Sequence, residues 1–257
     1  MTLVRLFAAL TYFTRIPAPT GSHEKPPKGS ACYAPLIGWL VGTIAAVIYI
    51  VADVFLPSTV AMLMSMIGTI WLTRGLHEDG LADFCDGFGG SLERNRTFEI
   101  MRDSNVGVYA VLGLVSVLSV KFSSLIELVS AQAFTHSLWA IYLVFTSAHA
   151  LSRLAAVSMM MTADYVSDVG TTKAGSMSHR MSKGDIVVAV IGGLLPLVFL
   201  AVVLGSGVLV AVAMVAVVRI VLARQILDRL GGYTGDCMGA IQQMTEISFY
   251  LGLLVML

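Results

Sequence analysis

Apolar stretches close to membrane-crossing length recur along this chain, and they constrain its fold more than any other feature. A crossing needs about 20 mostly apolar residues. Seven stretches approach that: 33–52, 58–72, 106–129, 134–161, 186–204, 208–221 and 238–257. The second and sixth are short in apolar residues and extend into their neighbours. What lies between them alternates. The segment before residue 33 holds Arg5, Arg15, Lys25 and Lys28, and 73–105 holds Arg74, Arg94, Arg96 and Arg102. Residues 162–185 hold Lys173, Arg180 and Lys183, and 222–237 hold Arg224 and Arg229. The connections 53–57, 130–133 and 205–207 contain no Lys or Arg. Basic connections stay on the cytoplasmic side of a membrane. The pattern therefore predicts seven spans, with the N-terminus in the cytoplasm and the C-terminus outside. Every long polar connection then falls on one side.

Composition supports this. Hydrophobic residues make up 57% and charged residues 12%, against about 25% charged in an ordinary soluble domain. The mean hydropathy is +0.85. So few polar side chains cannot cover a water-facing surface, and only helices or closed barrels satisfy their backbone in lipid. The expected fold is all-α: a polytopic helical bundle of about seven transmembrane helices with an N-terminal interfacial helix. The start, through Phe13, is a weak signal-peptide candidate; Arg15 interrupts it and no small-residue cleavage site follows. No linker divides the chain, so residues 1–257 form one membrane domain. Lys+Arg and Asp+Glu balance at 16 each, which gives no basic footprint for nucleic acid. Cys32, Cys85 and Cys237 form no CxxC pair, so neither a zinc site nor a disulfide framework is indicated.

The densest chemistry lies in residues 74–90. Asp79, Asp83 and Asp86 follow i, i+4, i+7 spacing and share one face of a helix. Three like charges beside lipid repel one another and are poorly solvated. A cation resolves this, and carboxylates without thiolates suit hard ions, Mg²⁺ first. His77 flanks the stripe. Gly80, between the acids, allows close backbone or ligand approach.

Other blocks add candidates. In 98–107, Asp103 can add a ligand and Arg102 can pair with phosphate. In 231–239 a glycine-rich turn carries Thr234, Gly235 and Asp236, whose backbone can meet phosphate; Asp236 can equally be a helix cap. Glu246 lies inside an apolar helix. Lys121, His149 and Arg153 lie within spans, and the last two share a face. Lys121 and Arg153 can meet an anionic substrate or pair with the acids. The loop 162–185, with Lys173, His179, Arg180 and Lys183, reads as a plain solvated loop more readily than as a substrate cover.

Taken in order, these blocks resemble the cobalamin synthase family, adenosylcobinamide-GDP ribazoletransferases. Residues 13–19 (FTRIPAP), 75–87 (GLHEDGLADFCDG) and 99–107 (EIMRDSNVG) are similar to its blocks, as are Lys121, Ser152–Arg153 and 234–236 (TGD). Glu78 stands where the family usually has an apolar residue, and Asn105 where it usually has a basic one. The resemblance implies joining of adenosylcobinamide-GDP to α-ribazole or its 5′-phosphate, with release of GMP, in the cytoplasmic (inner) membrane of a prokaryote. It implies Mg²⁺ on the aspartates Asp79, Asp83, Asp86 and Asp103. Arg102 and Arg153 would support the phosphates, and Thr234, Gly235, Asp236 and Lys121 would contribute to binding. Asp83, another carboxylate or His77 would take the proton of the attacking hydroxyl. A homo-oligomer is compatible with it. Two rivals use the same aspartates: a cation transporter, and a CDP-alcohol-type phosphotransferase. One-sided loops argue against the first and the order of the other blocks against the second.

Overall fold

The computed structural model describes residues 2–18, 26–131, 137–166 and 181–256. Among these residues the chain is helical, and a single bridge between Tyr165 and Tyr233 takes the place of any strand. The helices are α1 (Thr2–Phe13), α2 (Ala34–Asp53), α3 (Ser58–Thr73), α4 (Leu76–Gly90), α5 (Arg94–Arg102) and α6 (Val108–Ser130). They continue with α7 (Leu138–Val157), the short α8 (Met159–Thr162), α9 (Lys183–Leu204), α10 (Val208–Leu230) and α11 (Gly235–Leu254). A 3₁₀ turn, Ser30–Tyr33, leads into α2, and another, Gly205–Gly207, joins α9 to α10.

Two helices form the centre. Nearly all of α7 is buried, and it packs on α2, α9 and α11; α11 packs in turn on α10, α4, α7 and α6. Small residues make this possible, because without a hydrophobic drive between lipid-solvated helices, close van der Waals approach must hold them. The α2–α7 contact is an instance: a Cβ on Gly42 would stand 2.6 Å from the Phe145 carbonyl oxygen. Outward, Val51, Trp71, Leu112, Val115, Val202 and Leu209 are exposed. Apolar surface on that scale is what a bilayer absorbs.

Among the described residues, four stretches are long and apolar enough to cross a membrane: Ser30–Asp53, Val108–Ser130, Leu138–Thr162 and Lys183–Leu230. Ser58–Thr73 and Leu76–Gly90 qualify only together, bent by 87°, and would make a fifth. By this measure the count of seven is not reached, and three features account for the difference. The 48-residue stretch Lys183–Leu230 unites α9 and α10. The segment from Ser58 turns sharply into the acidic helix. The last helix carries Gln242, Gln243 and Glu246, all buried inside the bundle rather than facing lipid. The chain is thus an all-α, multi-pass membrane protein.

The turn between α3 and α4 places the acids. Arg74 (φ 61°) and Gly75 (φ 66°) both adopt the left-handed conformation. Arg74 is the costly one, because its Cβ crowds the backbone there. The turn closes α3, with the Gly75 amide donating to Ile70 O at 2.8 Å, as in a helix C-terminal cap. Two arginines then lock α1 and α3 reciprocally. Arg74 donates to the carbonyls of Thr11 and Tyr12, each at 2.7 Å, and the Arg15 side chain donates to Trp71 O at 2.7 Å. Cationic groups at helix C-termini meet free carbonyls and the negative dipole end. The expected interfacial helix α1 is therefore docked on the bundle, with Ala8, Ala9 and Phe13 buried.

Candidate active site

The acidic stripe lies on α4 as its spacing predicts, but its members meet different surroundings. Asp79 is exposed, Asp83 half-buried and Asp86 buried. The Asp86 carboxylate accepts from the Gly107 amide at 2.7 Å and the Ala110 amide at 2.8 Å. These are free donors at the start of α6, so Asp86 caps that helix from a neighbouring one. Gly107 is required here: a Cβ would stand 2.5 Å from Asp86 Oδ1. Asp86 was expected as a metal ligand, and the structure gives both of its oxygens to backbone.

A fourth carboxylate joins the cluster. Helices α4 and α11 cross at two glycines, where an added Cβ on Gly80 would lie 3.0 Å from Asp236 Cα and one on Gly239 would lie 3.1 Å from Gly80 Cα. The crossing sets Asp236 beside the acidic stripe, and Asp83 lies within electrostatic reach of Asp236, Asp79 and Asp86. Among the described residues, no Lys, Arg or His stands at ion-pair distance from these four acids. Thr234 is the N-cap of α11; its hydroxyl oxygen accepts from the Cys237 amide at 3.2 Å and donates to Asp236 Oδ2 at 3.4 Å. The glycine-rich turn is thus a helix start, with Gly235 its first residue and Asp236 in the first turn.

A cavity of about 160 Å³ opens at this crossing, between α1, α4, α7 and α11. His77, Asp79, Arg153 and Asp236 supply its polar groups. Phe13 lies parallel to the His77 ring, with centroids 6.3 Å apart. Tyr12 contributes from the same helix; burial, with Tyr165 and Asp236 nearby, pushes its hydroxyl up to about 12, so it stays neutral.

Behind this cavity lies a buried ionic network. Lys121 Nζ pairs with Glu246 Oε1 at 2.6 Å, and His149 Nδ1 stands 3.5 Å from Glu246 Oε2. Gln242 donates to Glu246 Oε2 at 2.7 Å, and the Tyr250 hydroxyl to Oε1 at 3.2 Å. Arg153 donates to the His149 carbonyl at 2.9 Å. Gln243 donates to Glu78 Oε1 at 2.9 Å. A cavity of about 10 Å³ sits among them, close to the space one water needs. Three buried polar atoms on its lining residues, Glu78 Oε2, Arg153 Nε and Gln243 Oε1, have no protein partner. Arg153 borders both cavities; Lys121 borders only the inner one. Of the two readings open for Lys121, contact with an anionic ligand or pairing with an acid, the structure shows the pairing, with Glu246.

The block around Arg102 is open to solvent. Arg102 lies over the Phe98 ring at 5.7 Å and within electrostatic reach of Asp236. Asp103 is exposed and accepts from the Asn105 amide at 3.0 Å and its side chain at 2.7 Å. Those bonds hold its carboxyl below the usual range. It stays in its own turn rather than joining the stripe. Lys173, His179 and Arg180 fall outside the described residues. Among the described residues, no three His, Cys, Asp or Glu side chains converge tightly enough to enclose a metal. The oxygen-only donors Asp79, Asp83 and Asp236 nonetheless suit a hard cation, since Mg²⁺ takes only one or two protein carboxylates and completes its shell with water and phosphate.

Sequence reading passed over Tyr12 and Phe13 as cavity walls and gave no role to Gln242 and Gln243. Paired glutamines in an apolar helix were the signal for the latter, because buried amides need partners.

A family model described as cobalamin-5-phosphate synthase matches residues 5–254. Curated relatives named adenosylcobinamide-GDP ribazoletransferase occur in Leptothrix cholodnii (39% identical, covering 96% of this chain and 93% of the relative) and Shewanella amazonensis (39%, 96% and 94%). A third, from Ralstonia pickettii, is 39% identical over 97% of this chain and 94% of its own. No solved structure matches.

Proposed function

Because the chain belongs to the cobalamin-5-phosphate synthase family, we propose that it transfers the adenosylcobinamide phosphate group from adenosylcobinamide-GDP to α-ribazole or α-ribazole 5′-phosphate. The products are adenosylcobalamin, or its 5′-phosphate, and GMP. The observation that carries this reading is the near full-length match to relatives of that name. The site supports it, because one small cavity gathers uncompensated carboxylates and a buried arginine.

In the reaction a ribazole hydroxyl attacks the phosphorus that bears cobinamide. A P–O bond forms there, the P–O bond of the diphosphate bridge breaks, and GMP leaves. Arg153 and Arg102 meet phosphate oxygens on which charge develops. His77 or a carboxylate of the cluster takes the hydroxyl proton. Asp79, Asp83 and Asp236 would hold Mg²⁺, which when bound would neutralise diphosphate charge. Asp86 keeps the cluster in register through α6, and Lys121 with Glu246 fixes the charge behind Arg153. The enzyme sits in the cytoplasmic membrane of a prokaryote as one membrane domain, with the site facing the cytoplasm, as its basic connections favour.

The test is direct. Purified protein in detergent receives adenosylcobinamide-GDP, α-ribazole 5′-phosphate and Mg²⁺, and chromatography follows the corrinoid product and GMP. Both should appear in equal amounts and vanish with a chelator. Absence of product in active lipid conditions would sink the reading, and ion flux in proteoliposomes would favour a transporter instead.

A further inference from the structure

We propose that the cavity between α1, α4, α7 and α11 holds the dimethylbenzimidazole base of α-ribazole, with the ribose turned toward the carboxylates. The proposal rests on the transferase reading above and says which part of which substrate enters the bundle.

Size is the first argument. The cavity measures about 160 Å³, below the about 300–1,000 Å³ of sites that enclose drug-sized ligands. It admits one small bicyclic group. A corrin ring with its nucleotide arm is far too large, so that substrate must approach from outside and present only its diphosphate.

Wall chemistry is the second. Phe13, Ala31, Ala34, Ala156, Val157 and Met160 form an apolar wall. Two bases take part in this reaction. Guanine carries a keto oxygen, a ring N–H and an exocyclic amine, and burying these against an apolar wall leaves them unpaired. Dimethylbenzimidazole carries two methyl groups, C–H edges and a single free ring nitrogen, so it leaves one acceptor to satisfy where guanine leaves several polar groups. Alanines at three wall positions leave space beside Phe13, whose ring can meet a flat aromatic face, and Met160 adapts to its edge.

Polarity is the third. His77, Asp79, Arg153 and Asp236 supply the polar atoms that a ribose and its phosphate need. Arg153 is 2% exposed, and its Nε has no hydrogen-bond partner among the described residues. Arg153 borders both cavities, so its unpaired donor is one that a ligand in this cavity or a water in the inner one must satisfy. A base against the apolar wall puts its sugar next to that guanidinium and to the two aspartates. The attacking hydroxyl is then delivered where the diphosphate arrives.

The experiment is steady-state kinetics on the full-length protein, with each substrate varied separately. Ala156→Phe fills the cavity. It should raise KM for α-ribazole about tenfold or more while KM for adenosylcobinamide-GDP stays within about twofold. Met160→Ala, which enlarges the cavity, is the second variant should the first fail to fold. It should accept a ribazole analogue with a larger tricyclic base at least as well as α-ribazole, reversing the wild-type preference. In competition assays benzimidazole riboside should inhibit against α-ribazole, and guanosine should not. The proposal is overturned if the variants move the KM of adenosylcobinamide-GDP instead, if neither KM nor base preference changes, or if guanosine competes with α-ribazole. Failure of the transferase reading looks different: wild-type protein then forms no product from either acceptor. In that case equilibrium dialysis with radiolabelled α-ribazole still decides the cavity, and binding that Ala156→Phe does not weaken overturns the assignment.

Discussion

Glu246 and the acids of α4 lie on either side of one helix crossing, and the protein treats their charge in opposite ways. Glu246 is fully buried, and its oxygens are met by Lys121, Gln242 and Tyr250. Asp79 lines the outer cavity and Asp83 is half-buried one turn further along α4; both share their field with Asp236 and face no cation within ion-pair distance among the described residues. A charge removed from water must be compensated on the spot. A charge left at a wet edge can stay uncompensated at modest cost and be reserved for a ligand. The first group is built to hold the bundle, the second to bind. Arg153 borders both cavities and links them.

The sharpest way to break that contrast is to remove Glu246. Glu246→Leu leaves Lys121 buried without its partner, which should cost about 3–5 kcal/mol. Thermal unfolding in detergent should show a large drop in midpoint, and adding Lys121→Met should recover most of it. A single variant as stable as wild type would end the idea of a compensated core.

Asp83→Asn should reduce turnover by about 10²-fold or more while leaving the unfolding midpoint unchanged or slightly raised, because it removes like-charge repulsion. Product assays with parallel melting curves check this. Normal turnover would take Asp83 out of the site.

Asp86 tests where the boundary runs. Asp86→Ala deprives the Gly107 and Ala110 amides of their acceptor and should cost about 1–3 kcal/mol. The Mg²⁺ concentration for half-maximal rate should not move. A shift in that concentration with stability intact would return Asp86 to the metal.

The smallest effect belongs to Asp103. Its bonds stay within its own turn, so Asp103→Asn should change stability by no more than about 0.5 kcal/mol and leave turnover as it was. Loss of Mg²⁺ dependence would show that the turn closes onto the stripe during catalysis.

Particular elements show what could be read from the chain. Apolar length located α2, α6, α7 and α9, and the i, i+4, i+7 spacing put three aspartates on one helix. Thr234 was legible as a candidate at a helix start. The bend at Arg74–Gly75 was less so, because a lone arginine gives no sign of a left-handed backbone; Arg74 adopts it beside the Thr11 and Tyr12 carbonyls that its side chain caps. Nor could Asp86 be distinguished from Asp79, as the two differ only in which helix end lies opposite. The expected seven spans depend on apolar length alone, and α11 is polar on faces that other helices cover.

By itself the sequence determined an all-α membrane chain and an acidic helix with basic connections around it. These are local properties, written in periodicity and composition and enforced by the bilayer as solvent. Only the tertiary structure decided that Asp236 joins Asp79 and Asp83, that Asp86 caps α6, and that Lys121 belongs to Glu246. Lys121 and Glu246 are remote in sequence, and the partner of a buried charge depends on which helices pack against each other, here α6 on α11.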